Sequence, residues 1–343
     1  MKNTQIRLIN RPLGALKVTD FLVDRSDIPP LAPNEVLVKN LYLSIDPAMR
    51  SWVSGGKSYI DSVPIGEVMR AMGTGVVIES RHADFVPGQH VYAGLGMQAF
   101  SHLTEERLNR PLFGSQLTII DAALPLPTYL GALGISGMTA YFGLLRIGQL
   151  QPGETVVISG AAGGVGTIAG QIARLKGCRV VGITSSDEKC KALVDAFGFD
   201  AGLNYKAGKL TNQLATACPE GIDVFFDNVG GDVLNAALGH LRPGGRVVLS
   251  GAVSQYNNMR FMQGPANYLA LIVNRARMEG FVFTDFANEF EHARAEIQGW
   301  IKAGLLNADT HVIPGSVDSF VALVDQLFSG QNMGKMVLEV HDN

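Results

Sequence analysis

The chain has 343 residues, enough for two domains of ordinary size, and with 47% hydrophobic and 17% charged residues it can bury a substantial core. A net charge of −3 without a Lys/Arg cluster argues against a nucleic-acid surface. Three scattered cysteines, Cys178, Cys190 and Cys218, make neither a disulfide framework nor a zinc-ligand set, and they suit a reducing, cytoplasmic setting.

In chain order, residues 1–12 are polar and lack the apolar stretch of a secretory leader. Residues up to about 125 predict β-structure punctuated by Pro and Gly. Strand character is clear at 35–42 and 75–79, and 84–91 reads as a turn entering another strand. Residues 122–127 suit a crossing between domains. The most apolar long stretch, 129–148, is glycine-rich and holds Ser136, Thr139 and Arg146, so it reads as a packed helical segment rather than a membrane span.

From 128 to 305 helices and strands alternate. Parallel strands are expected at Thr155–Ser159, Arg179–Thr184, 201–205, 223–227, 246–250 and 279–283, which suits a doubly wound sheet. After them, Phe320, Leu323, Val324 and Leu327 place a helix within 317–329, and 334–340 reads as a terminal strand that returns to the first domain.

The most informative run is Val156-Val157-Ile158-Ser159-Gly160-Ala161-Ala162-Gly163-Gly164-Val165-Gly166. A β-branched strand enters a glycine-rich turn, and a helix with Ile168, Ile172 and Leu175 on one face follows. Such a turn lets backbone approach a dinucleotide pyrophosphate, while the helix N-terminus offers N–H groups and partial positive charge. The spacing is a variant, G-x-x-G-x-x-G through Gly160, Gly163 and Gly166, with Ala162 where the usual pattern has its second glycine. An ordinary strand-to-helix turn does not explain three side-chain-free residues among 163–166. Gly163, Gly164, Val165 and Gly166 are therefore candidate cofactor contacts.

NAD sites usually carry an acid at the end of the second strand for the ribose 2′-hydroxyl. Here that strand ends in Thr184-Ser185-Ser186, with Asp187 slightly late and Lys189 beyond it. Ser185 leaves room for a 2′-phosphate, so NADP is expected. Asn228 ends another strand at the edge where ligands of open α/β sheets sit, as do Ser250, Gly251 and Ala252, with Phe281, Val282 and Phe283 on the sixth strand. Tyr256 follows that same edge. Its phenol can donate to a carbonyl oxygen that gains negative charge during hydride addition.

The whole chain resembles the medium-chain dehydrogenase/reductase superfamily, and most closely its zinc-free NADPH-dependent alkenal, prostaglandin and curcumin reductases. The resemblance is carried by Leu43-Ser44-Ile45-Asp46-Pro47-Ala48-Met49-Arg50, Gly137-Met138-Thr139-Ala140-Tyr141-Phe142-Gly143-Leu144, Leu175-Lys176-Gly177-Cys178-Arg179-Val180-Val181-Gly182, Phe226-Asp227-Asn228-Val229-Gly230-Gly231, Ser250-Gly251-Ala252-Val253-Ser254-Gln255-Tyr256-Asn257 and Asn332-Met333-Gly334-Lys335. It implies a Rossmann-like doubly wound parallel sheet at 128–305. A GroES-like β-rich catalytic domain at 1–127 would receive 306–343. It implies that Lys189, in a Ser-x-x-Lys pattern, pairs with the 2′-phosphate and that Tyr205 contacts the same end. Asn332 would sit in a turn with its side chain free for cofactor, and the protein would be a homodimer. Similar proteins often have Tyr where this chain has Ala48, which removes a phenol from the expected substrate mouth.

The stretch Ile65-Gly66-Glu67-Val68 lacks the histidine of the zinc enzymes, and no Cys-x-x-Cys exists, so a metal-free mechanism is expected. The resemblance implies NADPH-dependent reduction of a C=C bond conjugated to a carbonyl in a small enone or enal. The alternatives are a zinc-free quinone reductase and a non-catalytic NADPH-binding protein.

Overall fold

A computed structural model describes residues 1–341. It divides into two compact units, one of residues 1–130, 310–331 and those from 336 on, the other of 131–309 and 332–335.

Unit 1 is antiparallel. Its strands are β1 (Lys2–Leu8), β2 (Phe21–Asp27), β3 (Val36–Ser44), β4 (Gly73–Ser80), β5 (His90–Ala93), β6 (Phe100–Leu103) and β7 (Thr118–Ile119), then the late strands β14 (Thr310–Gly315) and β15 (Lys335–Val340). The main sheet runs β14-β15-β3-β4-β5-β7, with β6 also on β3, and β1 pairs β2 as a separate ribbon. The central strand β3 carries Val36, Val38 and Leu43, all fully buried, which is why it can hold partners on both sides. Gly75 on β4 is required by crowding: a Cβ there would lie 2.5 Å from the Lys39 carbonyl oxygen. Two short helices, α1 (Ala48–Trp52) and α2 (Glu105–Leu108), and the later α10 (Phe320–Phe328) complete the unit. Phe320 meets Phe21 edge-on at 5.3 Å.

Unit 2 holds β8 (Thr155–Ser159), β9 (Arg179–Thr184), β10 (Ala201–Asn204), β11 (Ile222–Asp227), β12 (Leu241–Leu249) and β13 (Arg277–Gly280). They form a parallel sheet of six strands among the described residues, ordered β10-β9-β8-β11-β12-β13. In chain order that is third, second, first, fourth, fifth, sixth, the arrangement of dinucleotide-binding sheets. The helices are α3 (Ile135–Phe142), α4 (Gly164–Leu175), α5 (Asp187–Phe197), α6 (Leu210–Ala217), α7 (Gly231–Leu238), α8 (Ala270–Asn274) and α9 (Phe290–Lys302). Val156, Val157 and Ile158 on β8 and Val224, Phe225 and Phe226 on β11 are fully buried, as strands covered on both faces must be. Strand order reverses between β8 and β11, so their carboxyl ends open a crevice.

The sixth strand lies two residues earlier than expected. Arg277–Gly280 pairs with Arg246–Leu249, while the apolar run 281–283 leaves the sheet. Phe283 stacks on Phe290 at 5.7 Å, and Phe281 packs against Gly143. Burial between helices, not strand pairing, is what those aromatics serve. The expected helix at 317–329 is a 3₁₀ turn, Val317–Ser319, followed by α10. Among the described residues no helix is long and apolar enough to cross a membrane.

Candidate active site

All the candidate site residues fall within unit 2. The glycine turn joins β8 to α4. Gly160 takes φ +57°, and the Gly163 N–H donates back to the Gly160 carbonyl at 3.0 Å. Helical bonding begins with Thr167 N–H to Gly163 O at 3.0 Å, so the amides of Gly164, Val165 and Gly166 precede it and are left for a ligand. The helix runs for 12 residues with no acid in its first turn. Gly166 is forced by packing: a Cβ there would stand 2.5 Å from Gly160 O and 2.6 Å from Ala161 Cα. At Gly163 a Cβ would meet a single atom within 4 Å, the Gly160 carbonyl oxygen at 3.2 Å, a tight contact but a milder one than at Gly166. A pyrophosphate fits this cradle of backbone donors.

Residues 332–335 lie against the same turn. Gly334 N–H donates to Ala162 O at 2.8 Å, and Gly334 bridges to Gly163. The Asn332 side chain is not free as expected. It is 5% exposed and donates through Nδ2 to Gly334 O at 2.8 Å. Its backbone carbonyl accepts from Lys189 Nζ at 2.6 Å.

Lys189 sits in the first turn of α5. Ser186 caps that helix, its Oγ accepting from Lys189 N–H at 3.3 Å. Burial, with help from the charge of Lys206, lowers the Lys189 ammonium below the ordinary lysine range. Ser185 lies between the strand end and this cap. Tyr205 follows β10, bonds its N–H to Thr184 O at 3.1 Å and is 42% exposed.

At the carboxyl ends of β8 and β11 a buried pair sets the edge. Ser159 Oγ donates to Asp227 Oδ1 at 2.6 Å, and both residues are fully buried. Asp227 also accepts from the N–H groups of Val229 and Gly230, at 3.0 and 3.1 Å. Burial nevertheless raises its carboxyl above the usual range, against those three donors. Asn228 is anchored from the same residue: its N–H donates to Ser159 Oγ at 2.8 Å and its Nδ2 to Ser159 O at 2.7 Å. Ser250 and Gly251 N–H groups both donate to Asp227 O, at 2.9 and 3.1 Å. One carboxylate residue thus knits the ends of β8, β11 and β12. Sequence reading missed this pair; its only trace is a polar residue closing each of two apolar strands.

Tyr256 is half-buried in the turn after β12. Its Oη accepts the Ala252 N–H at 3.3 Å and lies over Gly251, where a Cβ would stand 3.1 Å away. The phenol is therefore held at the strand edge by backbone, with its oxygen already used as an acceptor. Val282 N–H donates to Asp285 Oδ2 at 3.1 Å, and the buried Phe283 ring is spent on packing.

In unit 1, Arg50 is 3% exposed and gives its donors to Gly14 O, Ser54 Oγ and Pro12 O at 2.6, 2.9 and 3.2 Å. That is a structural role. The cysteines are unpaired, and burial pushes the thiols of Cys178 and Cys218 up to about 11, which makes them poor nucleophiles. No group of three or more His, Cys, Asp or Glu side chains able to hold a metal ion occurs among the described residues.

Family models match both parts of the chain. One described as the N-terminal domain of oxidoreductase covers residues 4–110, and one described as zinc-binding dehydrogenase covers 164–299. The chain is 38% identical to the NADP(+)-dependent 2-alkenal reductase of Nicotiana tabacum, over 99% of this chain and 98% of that one. It is 35% identical to the NADPH-dependent curcumin reductase of Escherichia coli K12, over 99% and 97%. Its fold matches the crystal structure of CurA in complex with NADPH from Vibrio vulnificus, with TM-score 0.90 and 36% identity over 99% and 100% of the two chains.

Proposed function

The chain belongs to the medium-chain dehydrogenase/reductase superfamily, and we infer that it is an NADPH-dependent reductase of the C=C bond in α,β-unsaturated ketones and aldehydes. The carrying observation is end-to-end similarity to curcumin and 2-alkenal reductases, with a pyrophosphate cradle and a backbone-held phenol on one sheet edge. We assign residues 1–127 and 306–343 to the GroES-like catalytic domain and 128–305 to NADP binding, with 332–335 belonging to the unit that holds the glycine turn.

When bound, NADPH supplies a hydride to the β-carbon of the substrate. Gly164, Val165 and Gly166 would hold the pyrophosphate through their amides, with Gly163 supplying a side-chain-free approach, and no acid in the first turn of α4 opposes its charge. Ser185, Lys189 and Tyr205 receive the 2′-phosphate, Lys189 as a charge-assisted donor. Asn228, Ser250, Gly251, Ala252, Phe281, Val282, Phe283 and Asn332 line the rest of the cofactor edge. Tyr256 donates its phenol proton in a hydrogen bond to the substrate carbonyl oxygen, which becomes an enolate oxygen as hydride arrives. Solvent then protonates the α-carbon. Polarisation of the carbonyl is assigned to hydrogen bonds. Following NADPH oxidation with an enone and with a quinone separates this reading from a quinone reductase.

We also infer a cytoplasmic homodimer. The edge strand β13 is exposed, and Leu269, Ile272 and Val273 nearby in unit 2 are 57%, 72% and 70% exposed. An open strand edge beside such a patch invites a second copy. Sedimentation velocity tests this: the wild type should run as a dimer and Ile272→Asp should shift it toward monomer, whereas a monomeric wild type overturns it.

A further inference from the structure

We propose that Asn204 is a cofactor-discriminating residue: its side-chain amide holds the Asp187 carboxylate aside and anchors the backbone of Lys206, whose ammonium serves with Lys189 as a second cation for the 2′-phosphate. The proposal rests on the 2′-phosphate reading above and goes beyond it in naming what keeps that position free of negative charge.

Asn204 is the last residue of β10 and pairs in register with Thr184, the last residue of β9. It therefore stands beside the strand end where an NAD-type acid would act. Its amide is fully oriented. Nδ2 donates to Asp187 Oδ1 at 2.8 Å, and Oδ1 accepts from Lys206 N–H at 3.0 Å. The Asn204 carbonyl is fixed too, accepting from Gln213 Nε2 at 2.9 Å and Ala207 N–H at 3.1 Å. Swapping the two ends of the amide would set NH₂ against an N–H and oxygen against a carboxylate, so only one orientation serves both partners.

The consequence is electrostatic. Asp187, the first residue of α5, is the acid nearest the strand end, and an unheld carboxylate there could turn toward a bound ribose. Bonded to Asn204 it is drawn to the β10 side. The next acid, Glu188, is engaged by Ser186 and its own backbone at the helix start. Lys206 makes no ion pair among the described residues, and its Nζ lies over the Tyr205 ring at 5.9 Å from the centroid. Burial first, and the charge of Lys206 after it, disfavour the Lys189 ammonium. Two cations on the segments that follow the paired ends of β9 and β10, with the neighbouring acid diverted, favour a dianionic group there.

The test uses two fragments that differ only in the phosphate. Calorimetric binding of 2′,5′-ADP and 5′-AMP is measured on the full-length protein, with circular dichroism confirming fold. The wild type should prefer 2′,5′-ADP. Asn204→Ala should weaken 2′,5′-ADP roughly tenfold with 5′-AMP unchanged, the scale of one partly screened charge. Adding Asp187→Asn to Asn204→Ala should restore most of the loss. Lys206→Gln, at an exposed position, should weaken 2′,5′-ADP about threefold. It tests the cation half even if Asn204→Ala does not fold. Equal weakening of both fragments by Asn204→Ala, or no rescue by Asp187→Asn, overturns the discriminating role while the wild-type preference leaves the 2′-phosphate reading standing. An unchanged 2′,5′-ADP affinity in Lys206→Gln removes the second cation. A wild type that binds both fragments equally overturns the 2′-phosphate reading itself.

Discussion

Lys189 and Asn332 lie 143 positions apart in the chain and meet through a 2.6 Å hydrogen bond, ammonium to backbone carbonyl. The bond ties the first turn of α5 to residues 332–335, which themselves rest on the glycine turn. It holds the Lys189 head at one point before any phosphate arrives, so less side-chain entropy is lost on binding.

Lys189→Ala should therefore weaken NADPH much more than NADH. A charge-assisted hydrogen bond to phosphate contributes about 1.5–3 kcal/mol, and partial solvent exposure favours the lower end, about tenfold. The pH sign follows from burial. Because the folded ammonium is less favoured than an ordinary lysine of 10.5, it is lost at lower pH. The NADPH-over-NADH preference should thus decline with rising pH before an ordinary lysine titrates. Dissociation constants for both cofactors across the alkaline range check this. Equal losses for the two cofactors in Lys189→Ala would refute the 2′-phosphate role.

The two glycines of the cradle should respond differently. At Gly166 a Cβ meets backbone at 2.5 and 2.6 Å, so Gly166→Val should disrupt the turn and lower Tm as well as abolish binding. At Gly163, with φ −87° and a single neighbour at 3.2 Å, Gly163→Val should lower Tm much less than Gly166→Val while losing NADPH. Thermal melts beside NADPH titrations separate the cases. A folded Gly163→Val that binds NADPH normally would place the pyrophosphate elsewhere.

The strand, glycine turn and helix at 155–175 were legible because apolar periodicity and glycine spacing are local signals. So was the absence of an acid directly after β9. Strand β13 was misplaced because an exposed edge strand built from Arg277, Met278, Glu279 and Gly280 has no apolar alternation, whereas the aromatics beyond it do look like a strand. The Ser159–Asp227 pair, 68 residues apart, became visible only when β8 and β11 were brought side by side. The same holds for Asn204 and Asp187, whose contact depends on β10 lying next to β9. Asn332 was read as a free side chain because sequence shows a turn but not which turn carbonyl the amide will choose.

Tyr256→Phe keeps the ring and removes the Oη that accepts the Ala252 N–H. The fold and NADPH affinity should survive. If the phenol stabilises the enolate, kcat should fall, by up to roughly 10²–10³-fold for a lone oxyanion donor and less where water shares the load. Steady-state kinetics with one enone at saturating NADPH reads this. A raised KM with unchanged kcat would make Tyr256 a binding residue, and no change in either would remove it from the site.

The most direct measurement follows the label from NADPH carrying deuterium at both C4 positions of its nicotinamide into the product of a simple enone. Nuclear magnetic resonance locates the label, and mass spectrometry gives the product mass. The account predicts a saturated ketone with one deuterium on the former β-carbon and a solvent proton on the α-carbon. An allylic alcohol labelled at the carbinol carbon, or NADPH oxidised by quinones while enones are left untouched, would contradict it.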